Sequence, residues 1–197
     1  MPPKSKTAKL TSFTLGSTTY KVNDDILVRG EAKGALSYVA KIMEIQQQSR
    51  GENKVRVTWF YRPEEATGGR KKFHGEKEVF KSDHADWIPI STIENKCHVH
   101  SLKNYQALKQ VHENDFFFRF IYKPLTHEFR PDRVPVFCVC EMPYNPDAFM
   151  VACEKCDEWY HPKCLGLTKA QATQMDAFVC SYCRKTGDSN KRQKLSE

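Results

Sequence analysis

Cys138 and Cys140, Cys153 and Cys156, His161 and Cys164, and Cys180 and Cys183 form four close pairs in one short segment. Pairs spaced as C-x-C or C-x2-C place two donors within about 4 Å of each other on a tight turn, which is half of a tetrahedral zinc site. Eight donors make two sites of four and imply two zinc ions. A site closed by four protein ligands leaves no position for water, so these metals hold structure and are not catalytic. Cys97 is the one cysteine outside the segment. That uneven spread argues for metal in a reducing compartment over a disulfide framework. A unit of about fifty residues buries too little apolar surface to fold alone, so the metal supplies folding free energy and the metal-free form is expected to be unfolded.

Phe137, Tyr144, Met150 and Trp159 stand beside these ligands. In so small a unit they could be the whole core. They could also wall a site for a methylated ammonium ion, which cannot donate hydrogen bonds and binds ring faces at about 0.5–2 kcal/mol each. Charge bears on the choice. The chain carries net +7, but residues 134–183 hold 3 basic against 6 acidic residues, while 1–133 hold 23 against 16 and 184–197 hold 5 against 2. An acidic module between basic ones suits a basic ligand in the middle and a polyanion nearby. Phe149 to Ala152 has strand character, so an extended peptide could add to it, with Asp147 and neighbouring acids meeting an arginine.

The elements that must position these residues follow from the rest of the pattern. Residues 1–19 are expected to be a basic flexible tail, 20–133 a first domain, 134–184 the zinc unit and 185–197 a second basic tail. The cluster K-R-Q-K at 191–194 suits either a nuclear import signal or a solvated chain end. The runs D-D-I-L-V-R, S-Y-V-A-K-I-M-E-I, K-V-R-V-T-W-F-Y-R, K-C-H-V-H and F-F-F-R-F-I-Y-K read as strands, and S-L-K-N-Y-Q-A-L-K weakly as helix. They predict a small antiparallel barrel or sandwich, joined to the zinc unit at Pro131 and Pro135. Alternation puts Val55, Val57, Trp59 and Tyr61 on one face, which Tyr38 could join. Periodicity leaves open whether that face is core or an aromatic site. No apolar run approaches the roughly 20 residues of a membrane span, so no membrane partner is expected.

The ligand order, four cysteines, a histidine and three cysteines, with Trp159 two positions before His161 and Phe178 two before Cys180, resembles the PHD finger. A RING ubiquitin ligase has a different order or spacing. The resemblance implies interleaved sites: Cys138, Cys140, His161 and Cys164 on one zinc, Cys153, Cys156, Cys180 and Cys183 on the other. Methyl-lysine-binding PHD fingers carry Trp at the position of Trp159. The stretches C-E-M-P-Y-N-P-D and F-M-V-A-C match their other cage positions at Tyr144 and Met150, with Phe137 as the fourth wall.

Upstream, S-Y-V-A-K-I, W-F-Y-R-P-E-E-A-T-G-G-R-K-K-F-H-G-E-K-E-V-F-K-S-D-H and I-E-N-K-C-H-V-H resemble a BAH domain. The BAH-then-PHD order, over about residues 20–183, is similar to the small plant chromatin readers of the Early Bolting in Short Days and Short Life type. That likeness implies a mainly β chain, a BAH barrel or sandwich followed by a two-zinc cross-brace finger. It implies a second cage at Tyr38, Trp59 and Tyr61 for trimethylated lysine 27 of histone H3, with the finger reading trimethylated lysine 4. His84 and Asp86 fall where the family contacts the peptide backbone. The implied protein is nuclear, is not an enzyme, and works with co-repressor or chromatin complexes to repress developmental and flowering genes.

This chain reads P-D-A-F-M where the family has P-D-D-L-M, so Ala148 lacks a carboxylate and the grip on the peptide's arginine is expected to be weaker. The rival is a DNA- or nucleosome-binding regulator with a purely structural finger. Its lysines and arginines are scattered, with one cluster at Arg70, Lys71 and Lys72, which suits auxiliary nucleosomal DNA contact better than sequence readout.

Overall fold

The two runs densest in β-branched residues, around Ile42 and Val57, become the long central strands of a sheet, because such side chains pack well on a pleated surface. A computed structural model describes residues 8–32, 34–49, 51–186 and 194–195. Lys4, Lys6 and most of the K-R-Q-K cluster lie outside the described residues. The chain forms two units, Met1–Arg70 with Lys77–Arg130, and Lys71–Glu76 with Pro131–Glu197.

The first unit contains β1 (Ala8–Leu10), β2 (Ser12–Leu15), β3 (Thr18–Lys21), β4 (Asp25–Val28), β5 (Tyr38–Gln47), β6 (Lys54–Tyr61) and β7 (Phe80–Pro89). It continues with β8 (Ile93–Ser101), α1 (Leu102–Gln106), β9 (Asp115–Phe118), β10 (Ile121–Lys123) and β11 (Glu128–Arg130). The main sheet runs β11-β10-β7-β6-β5-β4-β8-β9, with β1 also on β5, and β2 pairs with β3 as a hairpin. The β4–β5, β5–β6 and β6–β7 ladders are antiparallel, while β7–β10 and β8–β9 are parallel. One core gathers Ile26, Ile42, Ile45, Val55, Val57 and Phe13; a second gathers Val39, Phe60, Val79, Cys97 and Phe116.

Two expectations are corrected here. Residues 1–19 are not tail throughout: from Ala8 they form strands, and Phe13 is buried and stacked on Tyr20 at 5.3 Å. Alternation in S-F-T-L and T-T-Y-K, turned at Gly16 with φ 60°, builds that hairpin in a lysine-rich stretch of sequence. The run F-F-F-R-F-I-Y-K is two strands. The chain breaks at Arg119, whose guanidinium makes a bidentate ion pair with the fully buried carboxylate of Glu78.

The second unit contains β12 (Pro135–Phe137), β13 (Met142–Pro143), β14 (Val151–Ala152), β15 (Trp159–Tyr160), α2 (Lys169–Thr173), α3 (Ser181–Thr186) and β16 (Lys194–Leu195). β12 pairs with β13 and β16, and β14 with β15, so Lys194 and Leu195 are strand where a tail is expected. The mainly β architecture with two Cys/His clusters matches the expected fold class. Among the described residues no helix is long and apolar enough to cross a membrane.

Candidate functional site

The zinc ligands come together as two interleaved clusters. Cys138, Cys140, His161 and Cys164 form one and Cys153, Cys156, Cys180 and Cys183 the other, each with its donor atoms within 4.8 Å of one another. Cys156 Sγ and Cys180 Sγ are 3.9 Å apart. Two sulfurs each about 2.3 Å from a tetrahedral zinc would stand about 3.8 Å apart, so the donor set fits. His161 turns Nδ1 to within 3.4 Å of Cys140 Sγ, which identifies the ligating nitrogen. The chain holds two zinc ions in these clusters.

Backbone amides prepare the sulfurs. The N–H groups of His161, Cys180 and Cys183 point at Cys138, Cys153 and Cys180 Sγ, at 3.4, 3.3 and 3.5 Å. Burial pushes the Cys153 thiol up, but amide hydrogen bonds from Cys180, Cys156 and Lys155 outweigh it and lower it to about 6. That favours the thiolate the metal needs. Cys138 sits at φ 66° and Asp157, just after Cys156, at φ 56°, so the ligand turns use left-handed backbone without glycine.

Glu158 ties the clusters to each other. Its Oε1 accepts the Cys138 N–H at 3.2 Å and its backbone carbonyl accepts the Cys153 N–H at 2.9 Å, one amide from each zinc site. The next residue is Trp159, 44 % exposed on the strand paired to Ala152. By alternation Met150, Ala152 and Trp159 share a face; Met150 is buried, while Phe137 and Tyr144 are half-buried. Met150 can therefore serve as floor rather than wall. Asp147 is exposed and its Oδ2 accepts the backbone N–H of Glu76, while Asn145 Nδ2 donates to the Lys72 carbonyl. The stretch Lys71–Glu76 thus braces the loop that carries Tyr144, a role no local pattern announces.

In the first unit the face of β6 divides. Val55 and Val57 are fully buried core, whereas Trp59 and Tyr61, further along, line a cavity of about 490 Å³ with Tyr38. The cavity opens where the β6–β7 register shifts, between Thr58 and Phe60. A bulge there frees the chain to re-aim side chains, and Ser82 Oγ bonds the Trp59 carbonyl at 2.7 Å across the gap. The rings of Tyr38 and Trp59 meet edge to face at 6.0 Å. Trp59 Nε1 donates to Asp86 Oδ2 at 2.8 Å, His84 Nε2 lies 2.9 Å from that oxygen, and His84 Nδ1 is 2.8 Å from the Tyr61 hydroxyl.

Glu31 and Glu65 add carboxylates to the lining. Glu65 is held by the Arg62 N–H at 2.6 Å, and the Arg62 guanidinium reaches the Ser37 carbonyl next to Tyr38. Neither glutamate stands out by spacing, although W-F-Y-R-P-E-E keeps Glu65 close to the aromatics. Of the basic cluster, Arg70 is ion-paired with Glu64, while Lys71 and Lys72 are exposed.

Residues 18–133 match the BAH domain family and residues 138–183 the PHD-finger family. Over 187 residues, 94 % of this chain and 80 % of the relative, it is 47 % identical to the chromatin remodeling protein EBS of Arabidopsis thaliana. This chain belongs to the BAH–PHD family of chromatin proteins. The chromatin remodeling protein SHL of the same plant is 53 % identical over 161 residues, 81 % of this chain and 71 % of that protein. In fold, the crystal structure of the yeast Rsc2 BAH domain is similar at TM-score 0.52 and 21 % identity, covering 62 % of this chain and 54 % of that one. As a BAH–PHD chromatin regulator, the chain keeps its aromatic cavity in the BAH domain and its two zinc ions in the PHD finger.

Proposed function

We propose that this BAH–PHD protein is a non-enzymatic nuclear reader of the histone H3 tail, with one methyl-lysine site in each domain. The BAH cavity takes trimethylated lysine 27 between Tyr38, Trp59 and Tyr61. The finger takes trimethylated lysine 4 against Trp159, Tyr144 and Phe137 over Met150. The observation that carries the reading is the BAH cavity, whose aromatic lining is joined by the carboxylates of Glu31, Glu65 and Asp86. A quaternary ammonium is attracted to ring faces and to nearby negative charge but needs no acceptor, and such a lining supplies both attractions.

Support in the finger is of a different kind. Trp159 is 44 % exposed, and β14 pairs on one side with β15 while its other edge meets no further strand among the described residues. An H3 peptide adds as a strand to that edge, and Asp147 keeps Oδ1 for its arginine. Exposed Lys71 and Lys72 add a sequence-independent contact to nucleosomal DNA. Co-repressor or chromatin complexes recruited through the bound reader repress developmental and flowering genes.

Calorimetric titration of H3 peptides, unmodified or trimethylated at lysine 4 or lysine 27, tests this. Trp59→Ala is expected to abolish binding of the lysine 27 peptide and spare the other, Trp159→Ala the reverse, with zinc content unchanged in both. Equal binding of methylated and unmodified peptides by the wild type would sink the reading.

A further inference from the structure

Three aromatic side chains around an open cavity gain by collapsing onto one another, since ring surface removed from water is worth about 25 cal/mol per Å². Something must hold them apart. A methylated ammonium offers no partner to the indole N–H or the phenol O–H, so those groups must be satisfied by the protein itself. His84 and Asp86 stand at both polar edges. Asp86 Oδ2 accepts from Trp59 Nε1 at 2.8 Å and lies 2.9 Å from His84 Nε2, and His84 Nδ1 lies 2.8 Å from the Tyr61 hydroxyl.

An ionised carboxylate only accepts, so His84 Nε2 carries the hydrogen, and in the neutral ring Nδ1 accepts from Tyr61. The result is a continuous chain, Trp59 to Asp86, His84 to Asp86, and Tyr61 to His84. Both ends are anchored further. Ser82, buried in the bulge, bonds the Trp59 carbonyl and accepts the His84 N–H at 3.2 Å. The Tyr61 ring packs edge to face on Tyr122 at 5.4 Å, whose hydroxyl is held by Thr67 and His127.

We propose that His84 and Asp86 are positioning residues: they fix Trp59 and Tyr61 in the open arrangement before any ligand arrives. The inference rests on reading the cavity as the methylammonium site, and it deepens that reading by naming what preorganises it. Both side chains are about half exposed, at 45 % and 51 %, so their replacement leaves the sheet intact.

The test uses the full chain and two probes, the lysine 27 trimethylated H3 peptide and the tetramethylammonium ion, which has no backbone to grip. His84→Ala is expected to weaken both probes by the same factor, about 3- to 10-fold, the size of one lost hydrogen bond. Tyr61→Phe keeps the ring and removes only the hydroxyl. In that background His84→Ala should cost less than about 2-fold more, because coupled residues are not additive. A loss confined to the peptide, or effects that multiply, would overturn the proposal.

A ligand-free readout separates this from failure of the methyl-lysine reading. Hydrogen exchange of the Trp59 indole N–H, followed by NMR, should be slow in the wild type and at least about 10-fold faster in Asp86→Ala. Unchanged exchange overturns the positioning role even if no probe binds; faster exchange with no binding by the wild type overturns only the ligand.

Discussion

Trp59 and Trp159 both sit on strands whose alternation turns a ring toward an open face, yet different forces hold them. In the BAH domain the strand is one of nine in a sheet with two apolar cores, and hydrogen bonds donated to Asp86 and His84 fix the aromatic edges. In the finger the strand is two residues long, and its neighbours on either side are committed to metal: Glu158 to an amide of each site, and His161 to the zinc itself. Tyr160, between them, packs on Phe178 in the small cluster around Cys153 and Cys180, where burial and then a hydrogen bond to the Cys180 sulfur push its phenol well above the ordinary value. The difference teaches that a large domain can hold aromatic rings in the open by packing what lies behind them. A domain of about fifty residues lacks the apolar surface and uses two ions instead.

The strongest way to break this comparison is to remove the metal. Stripping zinc with a chelator should unfold the finger, since structural zinc contributes on the order of 10 kcal/mol to such domains. NMR signals from residues 138–183 should collapse while those of the sheet persist; loss of both would show that the BAH domain also depends on zinc. The converse is Phe13→Ala, which deletes a buried ring stacked on Tyr20. It should cost the BAH domain about 3–5 kcal/mol, read as a lower Tm, and leave zinc content unchanged.

A smaller effect sharpens the role of Glu158. Glu158→Ala removes the acceptor of the Cys138 amide. Loss of a hydrogen bond that orients a ligand turn weakens metal binding by about 10-fold or more, so zinc should leave the Cys138 site first in a chromophoric chelator assay. Equal release from both sites would count against the bridge.

The smallest effect is acid sensitivity confined to the sheet. Burial raises the Asp115 carboxyl, but hydrogen bonds from His100 and the His112 backbone more than compensate and hold it below the usual carboxylate range. A depressed folded value means that the stabilisation is present above the unfolded value of about 3.9 and is lost as pH falls through the folded one. Asp115→Asn should therefore cost about 1 kcal/mol at neutral pH and flatten that acid limb in denaturant titrations.

Much of the site was legible before any fold. Metal ligands announce themselves because a tight turn demands short, regular spacing, and eight donors in four pairs leave few other readings. The strands around Ile42 and Val57 were legible because alternation is local. The β2–β3 hairpin was not, since Phe13 and Tyr20 are single apolar residues in a lysine-rich stretch and only their stacking makes them core. Nor was β7, where F-K-S-D-H-A-D-W reads as polar although it pairs along β6. The division of the β6 face into core at Val57 and cavity at Trp59 depends on a register shift that periodicity cannot carry.

What the sequence by itself determined is therefore the chemistry of short range: the zinc ligands, the acidic finger between basic segments, and the aromatic residues placed on strand faces by twofold alternation. The tertiary structure decided which of those aromatics stay open. That outcome depends on partners far along the chain, Asp86 and His84 for Trp59 and Tyr61, Ser82 across the bulge, and Glu76 and Lys72 for the loop after Tyr144. Spacing encodes contacts within a turn, whereas hydrogen bonds between residues 23 to 73 positions apart exist only once the chain has folded.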